Sequence, residues 1–147
     1  MPRKSSTMCE LERLYNLYAL DCTHALAQMR PLLEAYRRLA WLTDAAPSAL
    51  SAEERGQAKA LLAAPEAAAP ADRQALPLLL RLMRETLSQI AAYPDQGPLL
   101  HEILQACYFA DDATTDEALA ERLHLERSTF YQRKREAVML FALIISR

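Results

Sequence analysis

The stretch T-T-D-E-A-L-A-E-R-L-H-L-E-R-S-T-F-Y-Q-R-K-R, residues 114–135, decides how this chain is read. Thr114 or Thr115 can cap a short helix over 116–123, with Asp116 and Glu117 in the first turn, where the helix dipole favours anions. His124-Leu125-Glu126 then reads as a tight turn into a longer helix over 127–145. Leu119, Ala120 and Leu123 fall on the inner face, and the small Ala120 lets the second helix approach closely. Leu125 plugs the turn, and Phe130 with Ala137 anchors the following helix from the same side. This spacing predicts a helix-turn-helix.

The outer face left on the second helix carries Arg127, Ser128, Thr129, Gln132, Arg133 and Arg135. Residues 127–135 hold four cations and no anion. Arg and Gln can contact guanine and adenine edges in bidentate fashion, and Ser and Thr suit bases or phosphates. A helix N-terminus is itself a phosphate-binding end. Lys134 and Arg122 would lie nearer the backbone strands.

Working outward, residues 98–109 predict a short helix burying Leu100, Ile103, Leu104 and Cys107, broken at Asp111-Asp112-Ala113. On the other side, residues 137–145 are apolar all round, so a helix there must be covered on every side. That tail is expected to dock into the N-terminal helices, into a second protomer, or both.

Further upstream, helix is expected over 72–93, with Leu76, Leu79, Leu80, Met83, Leu87 and Ile90 on one face, Pro77 in its first turn and Pro94 to Pro98 as its stop. Residues 65–70 read as a linker. Ser51-Ala52-Glu53-Glu54 predicts a capping box opening a helix that ends at Pro65. Residues 44–50 read as a connection. Met8, Leu11, Tyr15, Tyr18, Cys22, Ala25, Met29, Leu32, Tyr36 and Leu39 recur at helical spacing, with a kink or break expected at Pro31. The fold class expected is all-α, with an N-terminal helical scaffold over 1–94, a dimerisation or partner-binding unit, and a trihelical helix-turn-helix over 95–147.

Composition supports that class. The 147 residues include only two glycines, Gly56 and Gly97, too few for the left-handed positions of hairpins and phosphate loops. The net charge is −2, but residues 114–147 hold six basic and five acidic groups, against 11 and 14 in the rest. Cys9, Cys22 and Cys107 are odd in number and widely spaced, fitting neither a disulfide framework nor a zinc site. The longest apolar run covers nine residues, about half of the ~18 that would suggest a membrane span. Residues 1–7 are basic and polar, and Glu10, Glu12 and Arg13 interrupt any apolar region behind them, so a signal peptide is not expected. The expected setting is cytoplasmic, with no membrane partner.

Residues 116–138, and more loosely 98–147, resemble the C-terminal promoter-reading domain of bacterial sigma factors, closest to ArpU-like regulators of phages and mobile elements. The residues that answer to the pattern are Thr115, Glu117, Leu119, Ala120, Glu121, Leu123, Arg127, Ser128, Thr129, Phe130 and Tyr131. The resemblance implies major-groove binding by the helix that begins at Arg127. It carries over Arg127, Ser128, Thr129, Tyr131, Gln132 and Arg133 as contact positions, and Lys134 and Arg135 complete the candidate DNA-binding set. Two departures stand out. His124 replaces a turn glycine, where a left-handed backbone is common. Glu126 stands where a capping Ser is expected, placing an anion where a phosphate would dock.

The function expected is a sequence-specific, DNA-binding transcriptional regulator, dimeric on two half-sites, with RNA polymerase a candidate partner through the same resemblance. The competing expectation is a helical protein-interaction module whose helix-turn-helix no longer binds DNA. Charge reversal at Arg133 and Arg135 is expected to separate the two, abolishing DNA binding without unfolding if they are contacts. No enzyme, cofactor or metal is expected. His101-Glu102 opens like a zincin helix but lacks the second ligand, Cys22 and His24 pair by chance, and Asp111-Asp112 reads as a helix end.

Overall fold

The computed structural model describes residues 5–43, 50–63 and 76–147. These are all-helical, with no strand among the described residues: α1 (Ser6–Leu17), α2 (Cys22–Thr43), α3 (Ala52–Ala63), α4 (Leu76–Ile90), α5 (Gly97–Leu104), α6 (Asp116–Arg122) and α7 (Arg127–Ser146). The expected connection and linker, at 44–50 and 65–70, fall mainly or wholly outside the described residues, as do the first residues expected of the 72–93 helix.

The start of α1 is fixed by Ser5, whose Oγ accepts from Met8 N at 3.0 Å. Its end corrects the sequence reading. The break in the N-terminal stripe lies at residues 18–21, not at Pro31. Ala19 turns left-handed at φ 53°. Leu20 N then donates to Tyr15 O at 2.9 Å and Ala19 N to Asn16 O at 3.1 Å, the paired bonds of a Schellman stop. Asp21 Oδ1 caps the next helix by accepting from His24 N. Pro31, by contrast, lies inside α2, which runs on across it. Both Pro31 and Ala27, whose carbonyl loses its partner, are on the exposed face, where water can replace the missing bond.

The capping box at α3 forms as expected: Glu54 N donates to Ser51 Oγ at 3.1 Å and Ser51 N to Glu54 Oε1 at 3.0 Å. On α4, Leu79, Leu80, Met83, Leu87 and Ile90 are buried along the expected face. α5 starts hard against the end of α4. A side chain at Gly97 would meet Ile90 O at 2.8 Å and Ala91 O at 3.0 Å, so this close approach needs glycine.

α5 widens into a single π-helical turn over Gln105–Phe109. Arg37 of α2 holds its exit, donating from Nε to Ala110 O at 2.6 Å and from Nη2 to Ala106 O at 3.0 Å. Phe109 stacks at 4.4 Å on Tyr36 of α2 and at 5.9 Å on Phe141 of α7.

Two cores result. The larger gathers residues from α1, α2, α3, α4, α5 and the second half of α7. The smaller joins Ile103, Ala106, Leu119, Ala120 and Phe130, with Leu123 and Leu125 against them. The apolar tail is covered within the chain: α7 packs on α1, α2, α4 and α5. Residues 136–143 and Ile145 are buried, and Tyr15 Oη donates to Met139 O at 2.7 Å. Ala137 therefore joins the larger core, not the small one with Phe130 as expected. No helix among the described residues is long and apolar enough to cross a membrane.

Candidate nucleic-acid interface

The candidate surface is built on α6, the turn after it and the first half of α7. Thr115 Oγ1 caps α6 by accepting from Ala118 N at 3.1 Å. α6 ends on the same paired bonds as α1, with Leu125 N donating to Ala120 O at 2.9 Å and His124 N to Glu121 O at 3.1 Å. His124 takes the left-handed conformation at φ 56°, as the departure from glycine at this position required. Leu125 then enters the small core under the turn. Glu126 is the N-cap of α7 but makes no side-chain capping bond, so the first amide groups of the helix are not closed by its carboxylate.

The candidate contact residues divide into two groups. Arg127, Ser128, Tyr131 and Arg135 are exposed, and Gln132 is half-buried. Their positions, at steps of one, three or four, form a single outward stripe of a helix. Arg127 leans on Glu117 at 3.5 Å with both side chains more than 70% exposed, so water and salt screen the contact. Its guanidinium also stands 6.0 Å from the centroid of the Tyr131 ring. Thr129 is half-buried at the edge of this stripe.

Arg133 and Lys134 face inward instead. Arg133 Nη1 lies 2.8 Å from Glu136 Oε2, and the Glu136 side chain is wholly buried. The other Glu136 oxygen accepts from Ser5 Oγ, the cap of α1. A buried carboxylate is tolerable because two donors satisfy it. Lys134 Nζ lies 3.0 Å from both oxygens of Asp116 and 5.6 Å from the centroid of the Tyr108 ring. Burial alone would lower the Lys134 pKa. The bond to Asp116 and the charge of that carboxylate outweigh it and hold Lys134 above the ordinary lysine value. Cys107, which donates weakly to the same Asp116, is pushed up to about 11, chiefly by burial.

Sequence reasoning missed Glu136 and Asp116 as partners of these cations. The i,i+3 spacing of Arg133 and Glu136 was a usable signal, as was a lone acid opening a wholly apolar run. Arg37, which fixes the base of this unit from α2, had no local signal. Because Arg133 neutralises a buried carboxylate, reversing its charge damages the fold and cannot serve as a clean probe of DNA contact. Arg122 lies 3.8 Å from Glu102 on the exposed side of α5. Among the described residues, no three His, Cys, Asp or Glu side chains cluster to hold a metal ion.

The chain matches no protein-family model, no curated protein and no solved structure.

Proposed function

We propose that this protein is a sequence-specific transcriptional regulator that binds duplex DNA with the outward stripe of α7 as a major-groove reading surface. The observation that carries the reading is the stripe itself. Arg127, Ser128, Tyr131, Gln132 and Arg135 share one solvent-facing side, while the opposite side is fixed by Phe130, Lys134 and Arg133. Each of these five side chains can serve base edges or phosphates, and a rigid backing is what precise readout requires. α6, the left-handed turn at His124 and α7 then act as a helix-turn-helix. The resemblance to ArpU-like and sigma-factor promoter readers points the same way. Two copies on paired half-sites, with RNA polymerase nearby, belong to this reading.

One observation favours the competing class, a helical interaction module. Among the described residues, Arg135 is the one cation of 127–135 without an ion-pair partner, while Glu121 and Glu126 stand near the stripe unpaired.

Fluorescence anisotropy of a labelled random duplex, titrated at several salt concentrations, separates the two. DNA binding predicts affinity falling steeply with salt. Arg127→Ala and Arg135→Ala are each expected to flatten that slope by about one, because each removes a cation that neutralises a phosphate. No binding at low salt by the folded protein overturns the regulator reading.

A further inference from the structure

Between α6 and α7 lies an open groove of about 390 Å³ that shares Arg127 and Tyr131 with the outward stripe and is otherwise apolar and acidic. Its floor is apolar, made by Ala120, Leu125 and Phe130. On its α7 rim the Tyr131 ring is 44% exposed and sits edge-on to Phe130 at 5.8 Å. An aromatic face left over an apolar floor gains by being covered.

The α6 wall is acidic. Glu117 and Glu121 are four residues apart and so stand one above the other on the same side of the helix. Asp116 is already committed to Lys134. Glu121 has no ion pair among the described residues, and Glu117 is held only by the exposed contact to Arg127. The wall therefore offers the unpaired Glu121 and, about one helical turn away, Glu117, which an incoming cation reaches by displacing Arg127 from its exposed contact, beside an apolar trough with room for one or two side chains. Phosphates are repelled by such a wall, whereas a cationic, amphipathic helix fits it in both charge and spacing.

We infer that the groove docks a basic amphipathic helix of a partner protein, with an aliphatic anchor over Leu125 and Tyr131 and two cations one turn apart on Glu117 and Glu121. The groove shares Tyr131 with the proposed reading stripe, so a docked helix and duplex DNA exclude one another there.

The test uses the full chain and a labelled alanine-based peptide of about 18 residues, long enough to hold a helix. The peptide carries leucine at its centre and arginines one turn apart on the same face, and its control has glutamates in place of the arginines. Anisotropy at low salt is expected to show the arginine peptide binding and the glutamate peptide not binding. Glu117→Gln/Glu121→Gln and, separately, Tyr131→Ala are each expected to weaken binding about tenfold or more, the scale of a 1.4 kcal/mol change. All three positions are exposed, and circular dichroism melts verify that the variants stay folded. Absence of binding by the folded protein overturns the inference, as does equal binding of both peptides or indifference to the substitutions. If the double glutamine variant instead gains affinity for duplex DNA while peptide binding is unchanged, the wall is part of a nucleic-acid surface and the inference fails.

Discussion

The two halves of α7 belong to one uninterrupted helix and have almost nothing else in common. Residues 127–135 are bounded by α6 and α5 on one side only, and their other side faces solvent. Residues 136–145 are enclosed by α1, α2, α4 and α5, so that all but Ile144 are buried. Local helix propensity does not distinguish the halves; the surrounding elements do. The changeover falls at the Arg133–Glu136 pair, where Ser5 of α1 arrives as the second donor. The buried half works as a shaft set in the scaffold, and the exposed half as the surface it presents. Two neighbouring arginines, Arg133 and Arg135, accordingly have opposite roles.

That opposition gives the largest expected effect. Arg133→Ala leaves the Glu136 carboxylate buried without its ion-pair partner and is expected to destabilise by about 3–5 kcal/mol in urea unfolding. Arg135→Ala, on the open side, is expected to stay within about 0.5 kcal/mol of wild type. Equal costs would erase the distinction between the halves. The double replacement Arg133→Met/Glu136→Leu is the complementary test, because removing both charges together is expected to be near neutral.

Smaller changes test how the exposed half is attached. Thr115→Ala removes the cap of α6 and is expected to lose about 1 kcal/mol. His124→Gly relieves a left-handed backbone and is expected to gain up to about 1 kcal/mol. A loss at His124→Gly would mean that the side chain contributes more than the strain removes.

The Lys134–Asp116 bond gives a pH signature. The Lys134 pKa is raised on folding, so its contribution is complete below the unfolded lysine value and is lost as pH rises through the higher folded one. Wild type is therefore expected to lose stability more steeply than Lys134→Met in alkaline melts above about pH 10. A parallel pH dependence in the two proteins would contradict this. The smallest effect concerns reactivity alone. Burial holds the Cys107 thiol well above the ordinary cysteine value, so iodoacetamide is expected to modify exposed Cys9 first and Cys107 last, as followed by peptide mass mapping.

What the sequence made legible was local. The Ser51–Glu54 box, the Thr115 cap and the left-handed His124 each depend on residues within a few positions, and each forms. The apolar face of α4 was equally plain, because period alone sets it. The failures came from context. The stripe from Met8 to Leu39 is carried by two separate helices, with Tyr18 half exposed at the break between them, so periodicity could not reveal the stop at Ala19. Pro31 looked disruptive because nothing in the sequence says that Ala27 faces water. The inward turn of Arg133 and Lys134 depends on Glu136 and Asp116, and therefore on packing against the start of α1 and against α6. The candidate contact stripe was visible as a set of residue types, but which members face outward became clear only from the fold.

The proposed division of labour along α7, in which the exposed half would meet DNA while the buried half holds it in place, has a direct signature in solution. Amide chemical shifts of the isotopically labelled protein can be followed during titration with duplex DNA at low salt. Changes are expected to centre on Arg127, Ser128, Tyr131, Gln132 and Arg135, with residues 138–145 unmoved. Absence of any change, or changes clustered away from α7, would contradict that division.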